Sequence, residues 1–407
     1  MRTILTFALW LVRPLLRVVR KVCFWSHLVL GLTGGLVILL MSVTGVLLGF
    51  ERQMITAIDG APMVSAPVHA VRLPLDSLLA RNAVSAVEVA SVAVRVQAER
   101  PVVVRFVDRE RAALNLDPYT AAPIVVATDG AGQRFFSAMR RWHRWVGATG
   151  GEWRTRLKAV SGAANLGFVL LILSGLWIWW PRNWRWSALR SVTWFRRGLG
   201  AKARDFNWHN TIGFWSAIPL LLVAVSGVFI SYQWPGRWLD RALGSPEERA
   251  AAISASASSD VARGGARGGS GGGEAAVGAL APSAAIASYF TAATTAKPDW
   301  ALVTITLPTP GDTVATVAVA EGNTYRPDLK STLTLDLADA RVSRDRDYAS
   351  LSTARQIRAW VRFGHTGEVF GLFGQTIATI VSAGGAVLVL TGIALSCRRF
   401  LMWRARR

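Results

Sequence analysis

The sequence predicts an α-helical membrane protein with four transmembrane helices in two repeated halves and two external α+β modules. Three observations predict it. Four charge-free stretches each exceed about 18 residues, enough to cross a bilayer as helix: Leu28 to Phe50, Ala159 to Trp180, Asn210 to Trp234 and Val369 to Ser396. Two of them open alike, His27 with Gly31 and Gly45 and His209 with Gly213 and Gly227, at the same offsets. Basic residues crowd the short segments on one side of the spans only, as an even number of crossings requires.

The elements follow in order. Residues 1–24 hold a short apolar run, Ile4 to Val12, then Arg13, Pro14, Arg17, Arg20 and Lys21 with no small-residue cleavage site. That excludes a convincing signal peptide and predicts an interfacial helix lying on the membrane. Residues 25–50 are the first span. Residues 51–158 form an external segment, in which Val87 to Val96 alternates and Val102 to Val107 leads to Ala112 to Pro118 as strands. The second span (159–180) and a basic cytoplasmic loop (181–208) come next. The third span (209–234) opens the second half.

Residues 235–368 form a second external segment with strands at Trp300 to Leu307, Thr313 to Ala320 and Ser331 to Asp336. Within it, about 246–283 is a linker whose Ala-, Ser-, Gly- and Arg-rich centre, Ser254 to Gly273, has too little apolar area to repay ordering. The fourth span (369–396) leads to a cytoplasmic tail (397–407).

The net charge is +21. Its concentration in the N-terminal segment, the 181–208 loop and the tail is what the positive-inside rule demands, so nucleic-acid binding is not needed to explain it. Both cysteines, Cys23 and Cys397, fall at cytoplasmic span ends, a reducing setting with no disulfide. The Trp residues at span ends form an interfacial belt, and a role for Trp142, Trp145 or Trp360 beside a flat cofactor is the sharper alternative.

The histidines carry the functional reading. His27 and His209 begin spans on the cytoplasmic side; His143 and His365 precede spans on the external side. They make two pairs, one near each face. Imidazole ligates iron, copper or zinc. Two histidines are too few for structural zinc, which wants four protein ligands, whereas haem is held by axial histidines. An interfacial polar role is the plainer reading of any one alone; four in symmetric placement favour ligation. His143 stands well before its span, so Gly147, Gly150 and Gly151 are expected to turn the chain back over the bundle mouth. His69, between Pro67 and Pro74, reads as a surface-loop histidine. The glycines are expected to give a porphyrin clearance, with helix packing as the alternative. Arg140, Arg141, Arg144 and Arg362 are candidates to pair with propionates, or else interfacial side chains.

These motifs resemble a known family. Trp25-Ser26-His27 with Gly31 and Val43-Thr44-Gly45, Trp142-His143-Arg144, Leu173-Ser174-Gly175 before Trp177 and Pro181, Asn207-Trp208-His209 with Val225-Ser226-Gly227, and Gly364-His365-Thr366-Gly367 with Thr391-Gly392 are together similar to the PepSY-associated transmembrane proteins. Iron-regulated members of that family include inner-membrane ferric-siderophore reductases.

The resemblance implies PepSY-like external modules and two b-type haems on His27, His209, His143 and His365. It implies passage of electrons from a quinol or cytoplasmic reductase to a ferric siderophore in the periplasm. A non-enzymatic PepSY-containing scaffold or regulator is the competing class. A transporter is disfavoured, because the spans hold almost no carboxylate or lysine to form an ion path. No dinucleotide fingerprint marks the donor.

Overall fold

The computed structural model describes residues 2–65, 71–85, 88–108, 111–124, 130–179, 185–250, 253, 284–308, 312, 314–322 and 329–407, with backbone alone for 2–17 and 284–285. The elements begin α1 (Arg2–Leu48), α2 (Glu51–Asp59), α3 (Leu75–Arg81), β1 (Val89–Arg95), β2 (Val102–Phe106), β3 (Leu114–Leu116) and β4 (Pro123–Ile124). They continue α4 (Ala131–Trp145), α5 (Gly151–Trp179), α6 (Trp186–Thr193), α7 (Ala201–Ser231), α8 (Trp234–Leu243) and α9 (Ala284–Ala296). Then come β5 (Trp300–Thr306), β6 (Val314–Glu321), β7 (Lys330–Asp336), β8 (Val342–Arg346), α10 (Thr353–His365) and α11 (Gly371–Arg404). His69 and the low-complexity stretch Ser254 to Gly273 lie outside the described residues; at the head of the expected linker, 246–250 is helical.

The chain forms two units: Met1–Glu51, Phe135–Gly236 and Gly364–Arg407 make one, Arg52–Arg134 and Arg237–Phe363 the other. The first holds four helices long and apolar enough to cross a membrane, at Val18–Leu48, Gly151–Trp179, Ala201–Ser231 and Glu368–Arg404. This is a membrane protein. In a bilayer, helix is the form in which these segments satisfy their own backbone groups. The helices contact in a ring, α1 to α5 to α7 to α11 and back to α1. Small residues let them approach: Gly385 of α11 faces Ser42 and Leu220, and Gly35 of α1 faces Val389. Ile172, Ala217, Leu220, Ala224 and Val381 form the apolar centre.

One boundary differs from the sequence reading. The expected interfacial helix and first span are a single 47-residue helix, α1. No glycine precedes Gly31, and Pro14 alone removes one backbone donor without ending the helix.

The second unit is built on one sheet. The β-branched alternation of the sequence becomes eight antiparallel strands in the order β4-β3-β2-β1-β5-β6-β7-β8. The inward side chains, among them Val92, Val104, Val303, Ile305, Val317 and Leu333, lie under Leu78 and Leu79 of α3 and Ile286 and Tyr289 of α9. Each such aliphatic burial is worth about 1.5–3 kcal/mol.

The expectation of two separate modules is therefore corrected. Each segment contributes a helix and a four-stranded meander, but β1 pairs with β5, Val92 opposite Ile305 and Val94 opposite Val303. Joining the two first strands removes two open sheet edges at once. The sequence reading found β1, β2, β3, β5, β6 and β7, and missed the short β4 and the polar β8.

Candidate functional site

His27 lies on α1 and His209 on α7, helices diagonal in the ring. Their ring centres are 6.5 Å apart with planes at 85°. His143, near the end of α4, and His365, the last residue of α10, have ring centres 6.3 Å apart with planes at 61°. The structure thus brings together the two pairs that the sequence named, and no others. The chain geometry behind the second pair is local. Val146, at φ +49°, and Gly147, at φ +85°, follow α4, and Gly367, at φ +76°, follows α10. Left-handed backbone of that kind favours glycine, and it ends each helix just past its histidine. The Gly-rich turn expected after His143 is present in this form.

Each imidazole is oriented by a hydroxyl on a neighbouring helix. Nδ1 of His27 is 2.9 Å from Oγ of Ser174 on α5. Nδ1 of His143 is 3.0 Å from Oγ1 of Thr44 on α1. Nδ1 of His209 is 3.0 Å from Oγ1 of Thr391 on α11. Nδ1 of His365 is 3.0 Å from Oγ of Ser226 on α7.

Direction follows from what each hydroxyl does with its own hydrogen. Ser174 donates to the Leu170 carbonyl at 2.6 Å, Thr44 to Leu40 at 2.7 Å, Thr391 to Val387 at 2.7 Å and Ser226 to Val223 at 2.8 Å. The hydroxyl oxygen is then left to accept, so Nδ1–H donates to it. His365 makes the assignment firm: its Nδ1 also lies 3.0 Å from the Val223 carbonyl, which can only accept. With the proton on Nδ1, Nε2 is a bare lone pair. Among the described residues no hydrogen bond engages Nε2 of any of the four.

These hydroxyls were quoted in the sequence motifs without a role. Each precedes a glycine: Thr44-Gly45, Ser174-Gly175, Ser226-Gly227 and Thr391-Gly392. The glycines have a second role beside the expected one. A Cβ on Gly175 would meet Cε1 of His27 at 3.3 Å, on Gly392 Cε1 of His209 at 3.4 Å, and on Gly45 Cε1 of His143 at 3.6 Å. These three make room for a neighbouring imidazole, and Gly175 and Gly392 also line the cavity beside His27 and His209. Gly227 instead faces the Asn165 amide, at 2.9 Å. Gly31, Gly35 and Gly213 line that cavity as well.

That cavity, about 400 Å³, lies inside the ring beside His27 and His209. Its walls are largely aliphatic and aromatic, Ile38, Phe168, Leu220 and Leu388 among them. Trp179, stacked on Phe214 at 4.6 Å, closes one side. Arg399 reaches its rim and lies over the Phe24 ring at 4.8 Å. Of the arginines singled out from sequence, Arg140 is engaged with Glu51 and with Ser137. Arg144 lies over Trp145 at 5.1 Å and Arg362 over Phe363 at 5.9 Å. Among the described residues no three His, Cys, Asp or Glu side chains gather as a metal site.

Fold and site together define a class: a four-helix membrane protein with two cross-bundle histidine pairs, joined to an antiparallel sheet unit. The model of the PepSY-associated TM region matches residues 24–399, and the chain belongs to that family. No curated protein matches it.

Proposed function

We propose that the protein is an inner-membrane electron-transfer protein holding two b-type haems, one between His27 and His209 and one between His143 and His365, and that it reduces a ferric chelate of the siderophore type in the periplasm. The observation that carries this reading is the paired imidazoles. Two imidazoles sharing one ion, each nitrogen about 2 Å from it, have ring centres about 6 Å apart, against the 6.5 and 6.3 Å found. A bare Nε2 with its Nδ1–H held by an outer-shell acceptor is the state a metal-bound histidine needs. Two protein ligands without a third suit an ion whose other positions a macrocycle fills, and exclude structural zinc.

A haem held by each histidine pair would supply one-electron transfer. The chain's own residues supply orientation and dryness. Ser174 and Thr391 fix the inner imidazoles, and Thr44 and Ser226 the outer ones. The largely apolar walls disfavour water in the inner cavity. Thr44 stands 17 residues beyond His27 on α1, and Ser226 the same distance beyond His209 on α7. At 1.5 Å per residue the two levels are about 26 Å apart, most of a bilayer core.

Reduction of Fe(III) by one electron weakens an oxygen-donor chelate, because such ligands prefer the harder ion. The electron comes from a quinol or a cytoplasmic reductase. Arg20, Lys21, Arg398 and Arg399 lie on α1 and α11 at the His27 level, which supports cytoplasmic termini by the positive-inside rule. We further read the two helix-plus-meander segments as duplicated PepSY modules fused edge to edge.

A reduced-minus-oxidised spectrum of the purified protein, with haem counted per chain, tests the proposal. Two haems with bis-imidazole character are expected; a colourless, folded protein overturns it. The competing scaffold or regulator function predicts that histidine variants retain activity in the cell.

A further inference from the structure

The register of the sheet builds a second feature, on the face opposite α3 and α9. Three rows of side chains cross it. The first runs Arg95, Leu302, Ala320, Lys330, each opposite the next. The second runs Ala93, Thr304, Ala318, Thr332, Arg346. The third runs Arg105, Ser91, Thr306, Thr316, Thr334, Arg344. Apart from Leu302 the middle of this grid is small or hydroxyl-bearing, while cations stand at both ends of the first and third rows and at the β8 end of the second. No carboxylate lies within the three rows. Asp336, one step beyond on β7, is turned to accept the Ala338 N–H at 2.8 Å.

Arg95, Arg105, Lys330, Arg344 and Arg346 make no ion pair among the described residues. The cations also act on one another: burial first, then the charges of Arg52 and Arg95, push the Lys330 ammonium below its ordinary range. Burial and Arg100 do the same to Arg95. Elsewhere on the unit cations are paired, Lys297 with Asp345 at 2.9 Å and Arg111 with Glu88 at 2.7 Å. Holding several like charges together without an acid costs stability, and an anion bound among them offsets that cost.

We propose that this face binds an anionic, oxygen-rich ferric chelate of the polycarboxylate class, with the cations at the row ends engaging its carboxylates and the Ser/Thr centre hydrogen-bonding its remaining oxygens. Guanidinium groups suit that role, because their planar donors match carboxylates two bonds at a time. The proposal rests on the function proposed above and names the charge class of its substrate.

The probe is gallium(III) citrate, which cannot be reduced, titrated calorimetrically into the purified full-length protein at low salt. Saturable binding is expected, weakening as salt is raised past the point where screening sets in. The double variant Arg95→Gln/Lys330→Gln should bind about tenfold or more weakly, and Arg344→Gln/Arg346→Gln should weaken it from the other edge. Lys330→Arg should retain binding. A cationic trihydroxamate chelate should bind wild type and variants alike and weakly.

Absence of citrate-chelate binding to the wild type overturns the proposal, as does undiminished binding by both double variants. Each variant is checked for wild-type haem content, so loss through misfolding is recognised. If the haem-loaded protein fails to bind the probe, only the chelate site falls; if a haem-free protein binds it, only the electron-transfer reading falls.

Discussion

Nδ1 of His27 lies 2.9 Å from Oγ of Ser174, a residue 147 positions further along the chain. The relationship is reciprocal between the first two spans: Thr44, on the helix of His27, receives Nδ1 of His143, which precedes the helix of Ser174. The third and fourth spans repeat it with His209 on Thr391 and Ser226 beneath His365. Within each half, then, hydroxyls orient imidazoles; between halves, imidazoles meet.

The proposed di-haem function predicts how histidine variants divide. His27→Ala and His209→Ala should each lose the inner haem and keep the outer one. His143→Ala and His365→Ala should do the reverse. Haem stoichiometry and the low-temperature α-band of each variant measure this. Loss of both haems from every variant, or of neither, refutes the pairing.

The hydroxyls should tune rather than abolish. Ser174→Ala or Thr391→Ala removes the acceptor of Nδ1–H at the inner site only. Outer-shell losses of this kind cost about 10–100-fold in metal affinity. Haem retention during dilution should fall for the inner centre alone, and Thr44→Ala should move the effect to the outer one. Thr391→Ser restores an acceptor and should recover most of it.

Gly175 and Gly167 provide a contrast on one helix. A Cβ on Gly175 meets Cε1 of His27 at 3.3 Å, so Gly175→Ala must displace the imidazole by a few tenths of an ångström. A Cβ on Gly167 meets Leu30 at 3.9 Å, an ordinary contact. Gly175→Ala is expected to shift the electron paramagnetic signature of the inner centre, while Gly167→Ala leaves it in place. Equal effects would remove the steric argument.

Asp205 of α7 should matter for stability. Its side chain, 8% exposed, pairs with Arg398 of α11 at 2.8 Å and Arg204 at 3.0 Å. Asp205→Asn leaves Arg398 without its charge partner. Hydrogen bonds to charged groups are worth about 1.5–3 kcal/mol, and the thermal midpoint in detergent should fall accordingly. Arg204→Ala, on the more exposed partner, should cost much less.

Lys297 predicts an alkaline dependence in the sheet unit. Its hydrogen bond to Asp345 raises the ammonium above its ordinary range. A raised folded-state value adds stability that is complete below the unfolded value, about 10.4, and disappears as pH climbs through the folded one. The pair's contribution should therefore be full and independent of pH around neutrality and decline above about pH 10. Asp345→Asn should lower stability at pH 7 and flatten that alkaline decline.

Much of this was legible in the chain. Charge-free runs marked the four spans, because a bilayer tolerates little else. Alternating Val, Ile and Thr marked six of the eight strands. The matching offsets after His27 and His209 marked the inner pair, since one helical period fixes both residues on a face. β4 was missed because it has two residues, and β8 because Val342–Arg346 carries charge rather than alternation.

By itself the sequence determined what stays within one element: the spans, their histidines and the strand faces. Only the tertiary structure decided what depends on elements far apart in the chain. It joined β1 to β5 in one sheet, lined up Arg95 with Lys330 across four strands, and set Ser174 against His27. The glycines show the division best. Their spacing was visible, but that Gly175 clears the His27 imidazole depends on which helix lies opposite, and helix pairing is fixed by packing, not by local pattern.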